Sequence, residues 1–176
     1  MILYDAARCP FCARVRLVLH EKGLAYETVE IDLKKRPPWL TDLNPAGRIP
    51  VLDDGFVLPE SAVIMEYLEE RYPEHALLPA DLAARAAARL TVFRFDELLG
   101  DDYYAFRARD FHLLEHRLEN LPVGGSLFAD FAYVPWVMRL REFHGFPLPE
   151  RVGDWLDELS LRPSVAAELD LVRAVA

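Results

Sequence analysis

The chain has 176 residues, 52% of them hydrophobic and 28% charged, with a mean hydropathy close to zero and a formal net charge of −9. That is the make-up of an ordinary folded protein, long enough for one full domain or two small ones. The acidic excess (29 acidic against 20 basic side chains) repels phosphate, and no apolar run approaches the ~20 residues of a membrane span, so neither nucleic acid nor membrane is an expected partner.

MILYDA opens the chain as a short buried strand. Pro10 begins a helical pattern with Phe11, Val15, Val18 and Leu19 on one face and Arg14, Arg16 and Glu21 elsewhere. Proline suits a first helical position, and Lys22-Gly23 is a stop. Val29, Ile31 and Leu33 alternate with Glu30 and Asp32, a strand signature. RPPWLTDLNPAG holds a short helix at most. IPVLDDGFVL reads as two strands turning at Asp54-Gly55, and SAVIMEYLEERY as a helix closed by Pro73.

From about Leu82 the grammar changes. DLAARAAARLTVFRFDELL, RDFHLLEHRLEN, ADFAYVPWVMRLREF and ERVGDWLDEL are all helical, and no strand signal remains. The connector PEHALLPAD, with its two prolines, reads as an interdomain linker. The expected organisation is an α/β domain over 1–73 (βαβ, short helix, ββα), a linker over 74–81 and an all-α bundle over 82–176. There is no internal repeat.

Asp5, Arg8 and Arg14 interrupt any early apolar core, so no signal peptide is read and a cytoplasmic location is expected. In that compartment a thiol pair is more often catalytic or metal-binding than a structural disulfide. The only two cysteines, Cys9 and Cys12, stand three apart in ARCPFCARVRL. With the helix starting at Pro10, Cys9 is its N-cap, where orphan amides and the positive end of the dipole favour thiolate over thiol. Arg8 adds positive charge. Cys12 lies in the first turn, less exposed, suited to resolve a mixed disulfide on Cys9. A zinc site would need two more ligands, and no second CxxC or CxxH pair exists, so no metal is expected. Two inert cysteines at chance spacing are the other reading, which the strand-CxxC-helix setting disfavours.

Three stretches, CPFCARVRLVLHEKG, NPAGRIPVL and LPESAVIMEYLEERYP, are similar to the thioredoxin-fold domain of glutathione transferases and glutaredoxins. The helical half resembles the transferase C-terminal domain. The resemblance is closest to cysteine-type, omega-like and glutaredoxin-like members. It implies a thioredoxin-like N-terminal domain plus an all-α C-terminal domain, with glutathione or another low-molecular-weight thiol as cosubstrate. Pro50 matches the family's cis-proline, and Ile49 would pair its backbone with the cysteinyl residue of the bound peptide. Glu60 and Ser61 match the pair that holds the γ-glutamyl end. Arg36, with Lys35 as a rival, lies where omega-like members reach the glycyl carboxylate. Taken singly, Glu60-Ser61 also reads as an ordinary helix cap and Pro50 as a trans proline before a strand.

A cysteine nucleophile forms mixed disulfides readily. The resemblance therefore implies thiol-disulfide exchange on a disulfide substrate more than conjugation of a small electrophile. A disulfide reductase acting on protein substrates differs mainly in substrate. A further alternative is a non-catalytic adaptor, resembling the stringent starvation proteins, that binds RNA polymerase.

ADFAYVPWVMRL matches a recurring transferase helix in which Asp130 sits near the N-terminus. The family's capping Ser or Thr falls at Leu127, with Ser126 one residue too early, so the cap is expected to be absent or slipped. WLDELSLRPSVAAEL matches the penultimate helix and the turn after it. The chain is shorter than most of the family, with the shortfall between Leu82 and Asn120. That affects the helices of the second-substrate pocket and of the dimer contact, and leaves a homodimer open. Phe93, Phe95, Tyr103, Tyr104 and Phe106 could line a pocket, but helically spaced aromatics are more often core, and they read as core. HLLEH at 112–116 has the spacing of a zinc-protease motif but no further acidic ligand, so His112 and His116 read as surface or packing residues.

Overall fold

A computed structural model describes residues 1–106 and 112–176 (side chains other than those of Phe106 and His112), in two compact units, residues 1–76 and 77–174. The first unit holds strands β1 (Ile2–Asp5), β2 (Glu27–Glu30), β3 (Val51–Asp53) and β4 (Val57–Pro59). Its helices are α1 (Pro10–Glu21), α2 (Leu40–Leu43) and α3 (Ser61–Arg71). The sheet runs β2-β1-β3-β4: β1 pairs parallel with β2, Ile2 opposite Glu27, and antiparallel with β3, Leu3 opposite Leu52. Leu3, Val15, Val18, Val51, Leu52, Ile64, Met65 and Leu68 form the core, with α1 packed on α3.

α1 ends in a Schellman motif. Gly23, at φ +66°, donates to the His20 carbonyl, and Leu24 donates to that of Leu19. The helix is enclosed from Cys12 to Leu19, which corrects the reading that set Arg14 and Arg16 apart from its buried face. Both arginines are buried because each meets a polar partner: Asp5 for Arg16, Ser61 for Arg14.

The second strand starts and ends earlier than the alternation of Val29, Ile31 and Leu33 implied. Ile31 still donates to the Asp5 carbonyl at 2.7 Å, but the Asp32 carboxylate then takes the Lys34 N–H and turns the chain. At the far end of α1, the Lys22 ammonium is buried, 2.7 Å from Glu69 Oε2. It also donates to the carbonyls of Tyr72 and His75, at 2.8 and 2.9 Å. Those two carbonyls flank a 3₁₀ turn, Pro73–His75.

The described residues of the second unit form no strand. Its helices are α4 (Leu82–Phe93), α5 (Asp101–Phe106), α6 (His112–Glu119), α7 (Leu127–His144), α8 (Glu150–Leu159) and α9 (Pro163–Ala174). α7 is the centre, buried from Phe128 to Leu140, with α4, α8 and α9 packed on it. The stretch read as one helix from Asp81 breaks after Phe93 and widens into a π turn at Asp96–Gly100. A Cβ on Gly100 would meet the Phe95 ring and Asp96 Oδ1 at 2.7 Å, so a larger residue there must displace those two side chains.

The aromatics divide. Phe95 packs against Trp136, ring centroids 4.3 Å apart, and Tyr103 is also buried. Phe93, the last residue of α4, is 86% exposed and Tyr104 of α5 is partly exposed, so the core reading fails for these two. The side chain of Phe106 lies outside the description. So does that of His112; His116 faces solvent. The α7 cap is slipped rather than lost: Ser126 Oγ accepts from the Ala129 amide, and Asp130 Oδ1 accepts from the Gly124 amide at 2.8 Å.

Candidate functional site

The loop from β1 into α1 presents the cysteines. Cys9 is the N-cap residue with extended backbone, its amide on the Ala6 carbonyl at 2.9 Å and its carbonyl taking the Ala13 amide at 3.1 Å. Neither cysteine is in a disulfide. Cys9 retains 8% exposure and Cys12 none. Cys9 makes no side-chain capping bond to the first-turn amides, and it stands at the positive end of α1.

Its neighbour is Cys12. Burial pushes the Cys12 thiol well above the ordinary range, reinforced by its hydrogen bond to Cys9 and the charges of Cys9 and Asp5, against the Ala6 amide. Cys12 therefore holds its proton and donates it toward Cys9. The pair is asymmetric: the more enclosed sulfur is the one held protonated.

Cys9, Cys12, Ala6, Ile31, Leu40 and Ile49 form one buried cluster, with Phe11 packed against it. The Ile49–Pro50 peptide bond is cis. A small cavity of about 80 Å³ is lined by Phe11, Asn44, Arg48, Ile49, Pro50, Glu60 and Ser61. Asn44 shapes its rim: its amide nitrogen donates to the Arg48 carbonyl at 2.9 Å and its side-chain oxygen accepts from Ala46.

Glu60 is the residue before α3 and holds φ +71°, ψ 109°, a strained backbone for a residue with a side chain. Its carboxylate makes no cap bond. Ser61 opens α3 and is buried, its Oγ accepting from Arg14 Nη1 at 3.4 Å; the Arg14 guanidinium also lies over the Phe11 ring.

The structure thus brings Ile49, Pro50, Glu60 and Ser61 to one cavity, and joins Cys9 and Cys12 to Ile49 through the cluster. Arg36 is not among the lining residues. It is exposed, with Nη1 on the Gly47 carbonyl at 3.0 Å, and Lys35 is exposed as well. Arg48, Asn44 and Arg14 were missed by sequence reasoning. NPAGR holds the first two in plain view, but only the loop geometry turns them to the cavity. Larger hollows lie elsewhere. One is walled by Ala6–Arg8 and Glu30–Lys34, and one of about 650 Å³, in the second unit, has no thiol in its lining. No group of three or more His, Cys, Asp or Glu among the described residues is arranged to hold a metal ion.

Residues 3–76 match the family model described as the glutathione S-transferase N-terminal domain. Mouse glutathione S-transferase omega-1 is 36% identical over 159 aligned residues, covering 79% of this chain and 66% of the relative. A stringent starvation protein A homolog of Haemophilus influenzae is 41% identical over 110 residues, covering 62% of this chain and 50% of its own. The chain therefore spans less than two thirds of the length of these relatives. Rice GST1, solved in complex with glutathione, superposes with a TM-score of 0.79 at 26% identity, covering 99% of this chain and 94% of that one. The chain belongs to the glutathione transferase superfamily and is omega-like, with a thioredoxin-like first unit and a helical second one.

Proposed function

We propose that this chain is a glutathione-dependent thiol transferase, cytoplasmic, with Cys9 as its nucleophile. The observation that carries the reading is the asymmetric thiol pair: a buried Cys12 that keeps its proton, and a Cys9 at the positive end of α1. Glutathione lies along Ile49 and Pro50, its γ-glutamyl carboxylate received by Ser61 and the α3 amides and its ammonium by Glu60. The strained Glu60 backbone supports that role. Arg48, on the cavity wall, joins Arg36 and Lys35 as a cation for the glycyl carboxylate.

The Cys9 thiolate attacks one sulfur of a glutathione-containing disulfide, forming Cys9–S–S–glutathione and expelling the other sulfur as a thiolate, which takes a proton from water. A second glutathione thiolate attacks the glutathionyl sulfur. Oxidised glutathione leaves and Cys9 returns as thiolate, so one substrate disulfide is reduced as one glutathione pair is oxidised. Cys12 offers a second exit: after losing its proton to water it attacks the Cys9 sulfur, releasing glutathione as thiolate and leaving a Cys9–Cys12 disulfide, which two further glutathiones reduce as they become oxidised glutathione.

The test is alkylation of Cys9 against pH, together with mass detection of its glutathione adduct. A midpoint well below the ~8.5 of a free thiol and an adduct abolished by Cys9→Ser are expected. An ordinary midpoint with no adduct removes the reading. It would favour the alternative, a non-catalytic adaptor for a protein partner such as RNA polymerase, which the likeness to the Haemophilus protein supports. The homodimer implied by the family would cover the exposed Leu82, Leu90 and Phe93 of α4, and sedimentation at rising concentration tests it.

A further inference from the structure

We propose that the buried Asp5–Arg16 pair is the positioning device of Cys9, holding the loop in front of the cysteine and cancelling a carboxylate charge that would otherwise oppose its thiolate. The inference rests on Cys9 being the reactive thiol.

Asp5 is the last residue of β1 and Arg16 lies midway along α1. They are 6% and 8% exposed, with Nη1 2.5 Å from Asp5 Oδ1. The same guanidinium reaches on along the loop, Nη1 to the Ala6 carbonyl at 3.3 Å and Nη2 to that of Ala7 at 3.4 Å. The Ala6 carbonyl is also where the Cys9 amide lands, so one oxygen joins the guanidinium to the backbone of the nucleophile. From the other side Ile31 fastens the Asp5 carbonyl. Arg16 therefore touches each residue from 5 to 7, and the fork of a guanidinium suits three acceptors at once.

The charge argument follows from the same contacts. A carboxylate beside a thiol disfavours its ionisation, and Asp5 acts in that sense on Cys12. The other titratable and charged groups around the cysteines are Arg8 on the loop, Arg14 and Arg16 on α1, and Glu60 and Arg48 on the cavity wall. Arg16 is the cation bonded to the Asp5 carboxylate, so its removal leaves a buried anion beside the pair. A buried ion pair adds little stability over an apolar replacement. What this one supplies is a fixed loop and a local charge near zero.

The experiment is the pH profile of Cys9 alkylation by iodoacetamide in the full chain carrying Cys12→Ser, read alongside urea unfolding. Arg16→Gln should slow alkylation at pH 6 by about three- to tenfold, and Asp5→Asn should speed it by a similar factor. The Asp5→Asn/Arg16→Gln double variant, and Arg16→Lys, should return the midpoint to that of the parent. A midpoint unmoved in every variant while unfolding shifts would reduce the pair to a structural one and overturn the proposal. Should Arg16→Gln fail to fold, Asp5→Asn still decides, since an unchanged or raised midpoint sinks the idea. These displacements are read between variants. An ordinary parent midpoint with no glutathione adduct therefore counts against the transferase reading, while the displacements alone decide the role of the pair.

Discussion

Cys12 shows how far surroundings alone set the behaviour of a side chain. Unfolded, it ionises near the ordinary thiol value of ~8.5; folded, burial and the neighbouring Cys9 hold the proton to higher pH. Its contribution to stability is therefore complete below the unfolded value and is lost as pH rises through the folded one. Over that window Cys12 alone makes stability fall by up to about 1.4 kcal/mol per pH unit. Urea unfolding between pH 8 and 10.5 should show this decline, flattened in Cys12→Ser; identical slopes would refute it. The residues proposed for the site could be picked out in sequence because Cys9, Cys12, Pro50, Glu60 and Ser61 stand in compact local motifs. Arg14, Arg16 and Lys22 were not, because their partners Ser61, Asp5 and Glu69 lie far along the chain and a helical period carries no record of them.

Among the elements, α7 tests how a helix start tolerates displacement. Its cap moved to Ser126, and Asp130 was left to hold the Gly124 amide from inside the helix. Ser126→Ala should cost about 1 kcal/mol in thermal or urea unfolding. Asp130 behaves differently, because burial lifts its carboxyl above the usual range, against the Gly124 amide. Its favourable contribution is present at low pH and is lost as pH rises through the raised folded value. Asp130→Asn keeps an acceptor for Gly124 and drops the charge, so at pH 7 it should match or exceed the parent in unfolding temperature. The gap should close near pH 4, while Asp130→Ala falls below both at pH 7 by about 1 kcal/mol. Element order followed from periodicity and punctuation, and α8 falls at ERVGDWLDEL as read. The boundaries that shifted, at β2 and after α4, fall at the Asp32 turn and at the π turn Asp96–Gly100, neither of which shows in the hydrophobic period.

At the scale of the molecule, each compact unit depends on a buried cation. In the second, Arg139 bonds the Pro135 carbonyl at 2.8 Å and lies 3.6 Å from Glu168 of α9. In the first, Lys22 joins the end of α1 to α3 and to the turn after it. Lys22→Met strands Glu69 and two carbonyls, and should cost about 3–5 kcal/mol in urea unfolding. Lys22→Met with Glu69→Leu should recover much of that, and failure to recover would mean the carbonyls, not the charge, carry the loss.

That buried ammonium has an analytical consequence. The sequence has lysines at 22, 34 and 35, and the last two are exposed. An amine-acylating reagent applied to the native protein will mark Lys34 and Lys35 within its first exposure. It can reach Lys22 only when the end of α1 parts from α3. The delay before label arrives at Lys22 is a clock for the local opening of the unit that carries Cys9, readable by mass.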